Sequence, residues 1–229
     1  MFITEIFKSI QGESSYAGLP CIFVRLTGCN LRCKWCDTAY AFHGGTKYSL
    51  DDILKRVGEF SVGREKNGGS NSQLVEITGG EPLLQPETPE LARRLLDAGY
   101  TVLIETSGER DISELPREVV KILDVKCPDS GESGKFNPAN LEELEKKDEI
   151  KFVIASRRDY DFARAFMAEH RLRERVHEIL FSPVFADPAG AWPAMDAREL
   201  AEWILAENLP VRLGLQLHKF VWDPAMHGV

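Results

Sequence analysis

Cys21-Ile22-Phe23-Val24-Arg25-Leu26-Thr27-Gly28-Cys29-Asn30-Leu31-Arg32-Cys33-Lys34-Trp35-Cys36-Asp37-Thr38 is the stretch on which the fold turns. Its first seven residues read as a strand, with Ile22, Val24 and Leu26 on one face and Cys21, Phe23, Arg25 and Thr27 on the other. An arginine on such a face needs a partner or a ligand. Gly28 ends the strand, and the loop beyond it carries three cysteines in C-x3-C-x2-C spacing. Loops that carry chemistry at the C-terminal ends of strands are characteristic of parallel α/β sheets.

Working outward, a second strand at Gln73 to Thr78 runs into Thr78-Gly79-Gly80-Glu81-Pro82. Further strands are expected at Phe2 to Ile6, Tyr100 to Thr106, Val119 to Lys126, Ile150 to Ile154, Glu178 to Ser182 and Val211 to Leu217. Helices fall between them. Ser49 with Asp52 opens one, Thr88-Pro89 opens another that Gly99 closes after Leu91, Leu95 and Leu96, and Asp196 with Glu199 caps a third. Ser61 to Ser72 and Pro128 to Pro138 read as loops, the first as a surface insertion without a role in chemistry. This alternation predicts an α/β chain folded as a partial, TIM-like (β/α) barrel of about six parallel strands. A single domain over residues 1–229 is expected, with an N-terminal strand and loop (1–20) and a C-terminal closing segment (211–229).

Polar residues recur on the same faces: Glu76 and Thr78; Glu105 and Ser107 beside Leu103; Asp124 and Lys126 beside Ile122; and Arg212, Gln216 and His218 beside Gly214. Structural barrel interiors are filled by branched apolar side chains, so polar residues gathered near several strand ends mark a site. Exposed edge positions are the alternative for any one strand.

The 229 residues are 43% hydrophobic and 28% charged, an ordinary globular balance. With 28 Lys plus Arg against 36 Asp plus Glu, the net charge of -8 argues against a nucleic-acid partner. No apolar run approaches the ~20 residues that span a bilayer, and Glu5, Lys8 and Glu13 interrupt the start, so neither a membrane span nor a secretion signal is expected. A cytoplasmic, reducing setting follows, in which grouped cysteines bind metal or do chemistry. Cys21 reads as a small buried hydrophobe. The triplet Cys29, Cys33 and Cys36 leaves one ligand position open. His43 could complete a zinc site, or an iron–sulfur cluster could expose one iron to a ligand.

Together, the cysteine triplet after one strand and Thr78-Gly79-Gly80-Glu81-Pro82 after the next resemble the radical S-adenosylmethionine (SAM) superfamily. The resemblance implies that Cys29, Cys33 and Cys36 hold a 4Fe-4S cluster whose free iron binds the amino and carboxylate groups of SAM. Gly79 and Gly80 would let the backbone approach closely, and Glu81 would offer acceptors to the ammonium. Finer matches at Glu5-Ile6-Phe7-Lys8-Ser9-Ile10-Gln11-Gly12-Glu13-Ser14, Phe23-Val24-Arg25-Leu26, Cys36-Asp37-Thr38, Glu105-Thr106-Ser107-Gly108 and Gln216-Leu217-His218-Lys219 resemble the 7-carboxy-7-deazaguanine synthases.

That family's reaction, the conversion of 6-carboxy-5,6,7,8-tetrahydropterin to 7-carboxy-7-deazaguanine with loss of ammonia, uses SAM as a regenerated radical source and Mg2+. It belongs to the pathway to queuosine, a tRNA modification, and other deazapurines. The resemblance assigns the pterin to Ile10, Gln11, Gly12, Glu13, Arg25, Thr78, His218 and Val229, with Arg25 as carboxylate clamp, His218 as proton donor or shuttle, and Thr38 as the Mg2+ ligand. SAM falls to Gly79, Gly80, Glu81, Glu105, Ser107, Asp124, Lys126, Cys127, Ser182, Pro183 and Val184. A flavodoxin or ferredoxin reductant and a homodimer are implied as well. His227 stands where many relatives have arginine, which puts a salt bridge from the tail in doubt. A glycyl-radical activase and a zinc-binding scaffold are the competing readings.

Overall fold

The computed structural model describes residues 1–61, 73–187, 189–192 and 194–229. Beyond Ser61, the loop expected up to Ser72 lies outside the described residues. One sheet organises the chain: β1 (Phe2–Ile10), β2 (Pro20–Leu26), β3 (Thr46–Lys47), β4 (Leu74–Gly79), β5 (Thr101–Thr106), β6 (Val120–Asp124), β7 (Glu149–Ile154), β8 (Glu178–Pro183) and β9 (Arg212–Leu213), in the order β3-β1-β2-β4-β5-β6-β7-β8-β9. From β2 onward the neighbours are parallel, whereas β1 runs antiparallel to both β2 and β3. The sheet is therefore the expected open, partial barrel, with six full parallel strands and the two-residue β9.

Helices α1 (Leu50–Glu59), α2 (Thr88–Asp97), α3 (Arg157–Glu169) and α4 (Ala197–Ala206) pack on the outer face, and α5 (His218–Val221) is a single turn near the end. Ser49 caps α1 by accepting from the Asp52 N–H at 3.1 Å, and Asp196 caps α4 by accepting from the Arg198 N–H at 2.9 Å. Thr88 does not act as a cap; its hydroxyl donates to the Pro82 carbonyl at 2.7 Å and ties α2 to the turn after β4. Ile22, Val24 and Leu26 of β2 join Ile53 and Val57 of α1 and Leu91 and Leu95 of α2 in one fully buried layer. Each such side chain contributes roughly 2 kcal/mol by leaving water.

The inner face has an apolar floor and a polar upper layer. Cys21, Phe23 and Leu74 pack with Phe7 and Tyr16, and Tyr16 also packs on Leu103, Val120 and Ile122. Tyr16 belongs to the segment joining β1 to β2, of which residues 11–16 lie inside the open barrel and 17–19 on the surface. Gln11 of that segment donates to Glu76 on β4, and the Ser15 N–H donates to Glu149 on β7 at 3.1 Å. An incomplete barrel leaves interior groups unpartnered, and this segment supplies their partners.

Two strand expectations are corrected. β1 runs on to Ile10 instead of ending at Ile6, because its whole length pairs with β2, Ile10 opposite Pro20. The segment expected as a strand from Val211 to Leu217 pairs with β8 only at Arg212 and Leu213. It then turns into α5, so Gln216 and His218 approach the barrel mouth from a turn and a helix. Arg212 instead meets Glu178 at 3.0 Å on the surface.

Gly79 and Gly80 let β4 pass close beside β2. A Cβ on Gly80 would collide with the Gly28 carbonyl and lie 2.6 Å from the Cβ of Cys29. Gly80→Ala is therefore expected to push the cysteine loop outward. It should lower the melting temperature by several degrees, for a cost of about 1–3 kcal/mol, and cut iron uptake, both readable by calorimetry and iron analysis.

Candidate active site

The C-terminal ends of the parallel strands surround one cavity of about 510 Å³. At one end is the cysteine loop. It has no regular structure and is pinned from outside: Gly28 N–H to the Ala41 carbonyl at 2.8 Å, Lys34 N–H to the Ser130 carbonyl at 3.0 Å, and Arg32 N–H to Glu132 at 2.6 Å. The Arg32 guanidinium donates to the carbonyls of Cys29 (2.7 Å) and Leu31 (2.6 Å) and lies 4.3 Å from the centre of the Phe42 ring. So held, Cys29, Cys33 and Cys36 all line the cavity, and none is in a disulfide. Burial raises the Cys29 thiol and pushes Cys33 up to about 11, partly offset for Cys33 by Lys126. Both stay protonated until a cation displaces the proton.

Arg25 lines the same cavity from β2. Its Nε donates to Glu5 at 2.7 Å from the directly paired position on β1, and Tyr40 Oη donates to the same carboxylate oxygen at 2.8 Å. The guanidinium sits between the rings of Phe7 (5.8 Å) and Tyr40 (6.0 Å), leaving its terminal nitrogens for a ligand. His227 stacks on Tyr40, with ring centres 3.9 Å apart, and so roofs this wall. Histidine at this position thus makes a ring contact.

The cavity also holds a charged layer built around Lys151, which is 4% exposed at its side chain. Its ammonium donates to Glu13 at 2.7 Å and to Glu105, and pairs with Asp124 at 3.3 Å. Burial pushes the Glu13 carboxyl up, but Lys151, His218 and Gln216 outweigh it and bring the group down to about 2. Glu76 goes the other way: burial, Glu105 and Glu13 raise it well above the ordinary carboxylate range. Burial lowers the pKa of His218 from its usual value, which favours a neutral imidazole. Gln216 donates to Glu13 at 3.0 Å and to Asp37 at 3.3 Å, and Lys219 donates to Asp37 at 2.6 Å. The end of the chain is thereby joined to both the cysteine loop and the β1–β2 segment.

Of the residues expected in a site, Ile10, Gln11, Gly12, Glu13, Arg25, Thr38, Thr78, Gly79, Gly80, Glu105, Ser107, Asp124, Lys126, Val184, His218 and Val229 all line the cavity with the three cysteines. Four do not. The Glu81 carboxylate is 1% exposed and accepts from Leu83 N–H, Thr106 Oγ1 and both the N–H and hydroxyl of Ser107, so it braces the turn and has no acceptor to spare. Cys127 is 1% exposed within the outer apolar core. Ser182 and Pro183 end β8 below the mouth, where Ser182 is buried against Gly214. Lys151 and Tyr40 are not named in the sequence reading, and Glu5 and Asp37 enter it only within longer matching stretches, without a role of their own. Lys151 was within reach, since Lys151 and Val153 alternate inward on the strand expected from Ile150 to Ile154.

Residues 23–126 match the radical SAM superfamily. The fold and a site with three loop thiols facing a strand-end cavity define that class. Over its full length the chain is 54% identical to the 7-carboxy-7-deazaguanine synthase of Koribacter versatilis, covering 100% of both, and 43% identical to that of Chlorobaculum tepidum, covering 99% of this chain and 96% of the other. The crystal structure of QueE from Escherichia coli superposes with a TM-score of 0.72 at 26% identity, covering 95% and 94% of the two chains. The chain belongs to the 7-carboxy-7-deazaguanine synthase family.

The residues fit the superfamily's cofactors, a 4Fe-4S cluster and SAM. Three thiols on one pinned loop leave the fourth direction open to the cavity. Asp124 lines the same cavity, where its Oδ2 pairs with Lys126 at 2.9 Å while its buried Oδ1 has no hydrogen-bond partner. His43, the expected fourth ligand of a zinc site, is exposed and outside the cavity that the three cysteines line.

Proposed function

We propose that the chain converts 6-carboxy-5,6,7,8-tetrahydropterin to 7-carboxy-7-deazaguanine with loss of ammonia, a carbon–nitrogen lyase reaction. The observation that carries this reading is one cavity lined both by the three cysteines and by Arg25, whose Nε is held by Glu5 at 2.7 Å. The cluster and SAM supply the radical chemistry. The chain's own residues position the substrate and exclude water. The Arg25 fork takes the pterin carboxylate. Gln11, Glu13 and the backbone of Ile10 and Gly12 face the donor and acceptor edge of the ring, with Thr78 and Val229 as further contacts. His218, neutral and beside Glu13, holds or moves a proton at an imidazole nitrogen.

Thr38 supplies a hard oxygen for Mg2+ beside the cysteine loop; its hydroxyl lies 3.7 Å from Cys36 Sγ. Gly79, Gly80, Glu105, Ser107, Asp124, Lys126 and Val184 form the SAM side. A flavodoxin or ferredoxin reductant, a homodimer and a cytoplasmic setting complete the proposal; no helix among the described residues is long and apolar enough to cross a membrane.

The test is an anaerobic assay of the cluster-loaded protein with SAM, a low-potential reductant, Mg2+ and the carboxytetrahydropterin, read by mass spectrometry. The expected product is 7-carboxy-7-deazaguanine. Cleavage of SAM to 5'-deoxyadenosine without that product would remove the substrate assignment and leave the cofactors in place.

A further inference from the structure

Lys151 bonds to carboxylates carried by three different parts of the chain: Glu13 on the β1–β2 segment, Glu105 on β5 and Asp124 on β6. Glu13 faces the end of the cavity assigned to the pterin, and the other two face the end assigned to SAM. Resting on that assignment, we propose that Lys151 is a positioning residue shared by both ends, whose one ammonium keeps Glu13 an anionic acceptor for the pterin and ties it to the carboxylates on the SAM side.

The groups that share Glu13's surroundings are Lys151 from β7, Glu76 from β4, Glu105 from β5, Asp124 from β6, His218 from α5 and Gln216 from the turn before it. Four of these six-plus-one groups, counting Glu13 itself, are carboxyls. Lys126, the other ammonium in this layer, is engaged with Asp124 at 2.9 Å. Without Lys151, burial and the neighbouring Glu105 and Asp124 act on Glu13 in the same direction, opposed by His218 and Gln216 alone, which favours uptake of a proton. Glu76 shows the outcome already, raised by burial, Glu105 and Glu13. A protonated Glu13 presents a donor where the ligand edge needs an acceptor. Lys151 therefore decides which carboxyl of the layer stays charged, a role distinct from filling space.

The test is binding of 7-carboxy-7-deazaguanine by the cluster-loaded wild type and by Lys151→Met and Lys151→Gln, titrated between about pH 5 and pH 8 without reductant. Dividing each variant's Kd by that of the wild type cancels titration of the ligand. The expected ratio rises at least tenfold from the alkaline to the acid end, because each unit by which pH falls below the Glu13 pKa of the variant costs a factor of about ten. A ratio that stays flat across this range overturns the inference and leaves the function reading intact. A wild type that binds the compound at no pH overturns both.

The carboxyl 13C shift of Glu13 in the wild type, assigned by comparison with Glu13→Gln, decides the matter even if neither variant folds. It is expected to show the anion throughout this range. Titration above about pH 5 in the presence of Lys151 would overturn the proposal.

Discussion

Cys33→Ala is expected to give a folded protein that retains only a small fraction of the wild-type iron and sulfide and forms no detectable 7-carboxy-7-deazaguanine. The cysteine loop keeps its shape through bonds that do not involve the Cys33 thiol, namely Lys34 to Ser130, Arg32 to Glu132 and Gly28 to Ala41. Loss of one sulfur therefore barely touches the apo fold. Its cost should be within about 0.5 kcal/mol, or a shift of roughly 2 °C in the melting temperature of the cluster-free protein. The cluster has no such reserve: three thiols are what the loop offers, and the exposed His43 stands outside the cavity. Iron analysis and calorimetry on the anaerobically reconstituted variant check both halves. A full iron load together with product would remove the ligand assignment.

Arg25→Ala is expected to keep iron and SAM binding while kcat/KM for the pterin falls by about 100- to 1000-fold. Truncating one partner of a buried charge pair costs about 3–4 kcal/mol, and each 1.4 kcal/mol is tenfold. Arg25 is 15% exposed at its side chain, and its Nε is fixed by Glu5, so the remaining nitrogens are presented as a planar fork. Arg25→Lys should not restore activity, because an ammonium keeps the charge but loses the fork. Glu5→Gln should lose less, since Tyr40 and the Phe7 ring still hold the guanidinium. Steady-state kinetics at matched iron content measure these effects. An unchanged kcat/KM in Arg25→Ala would end the clamp argument.

Local pattern was enough wherever the physics was local. Alternation in Cys21 to Thr27 separated the outer core face of β2 from the face carrying Arg25, because successive side chains on a strand point oppositely. The cysteine spacing and Gly79-Gly80 marked the loops at two strand ends, and Ser49 and Asp196 marked helix starts by capping chemistry. The same alternation would have exposed Lys151 had the inward face of Ile150 to Ile154 been read as the others were. Glu81 was misread because a carboxylate beside two glycines looks available, whereas Thr106 and Ser107, remote in sequence, consume it.

By itself the sequence determined the α/β class, the open parallel barrel and the loop that carries the three thiols, since periodicity, turn chemistry and spacing act over a few residues. Only the tertiary structure decided that β1 lies antiparallel to β2, which sets Glu5 opposite Arg25. It also decided that residues 11–16 fill the barrel from within and that the last segment returns over the mouth to join Asp37 and Glu13. Those pairings connect groups up to 203 positions apart. Their charges are settled by shared burial, and burial arises only when the curved sheet, the β1–β2 segment and the last segment have come together around them.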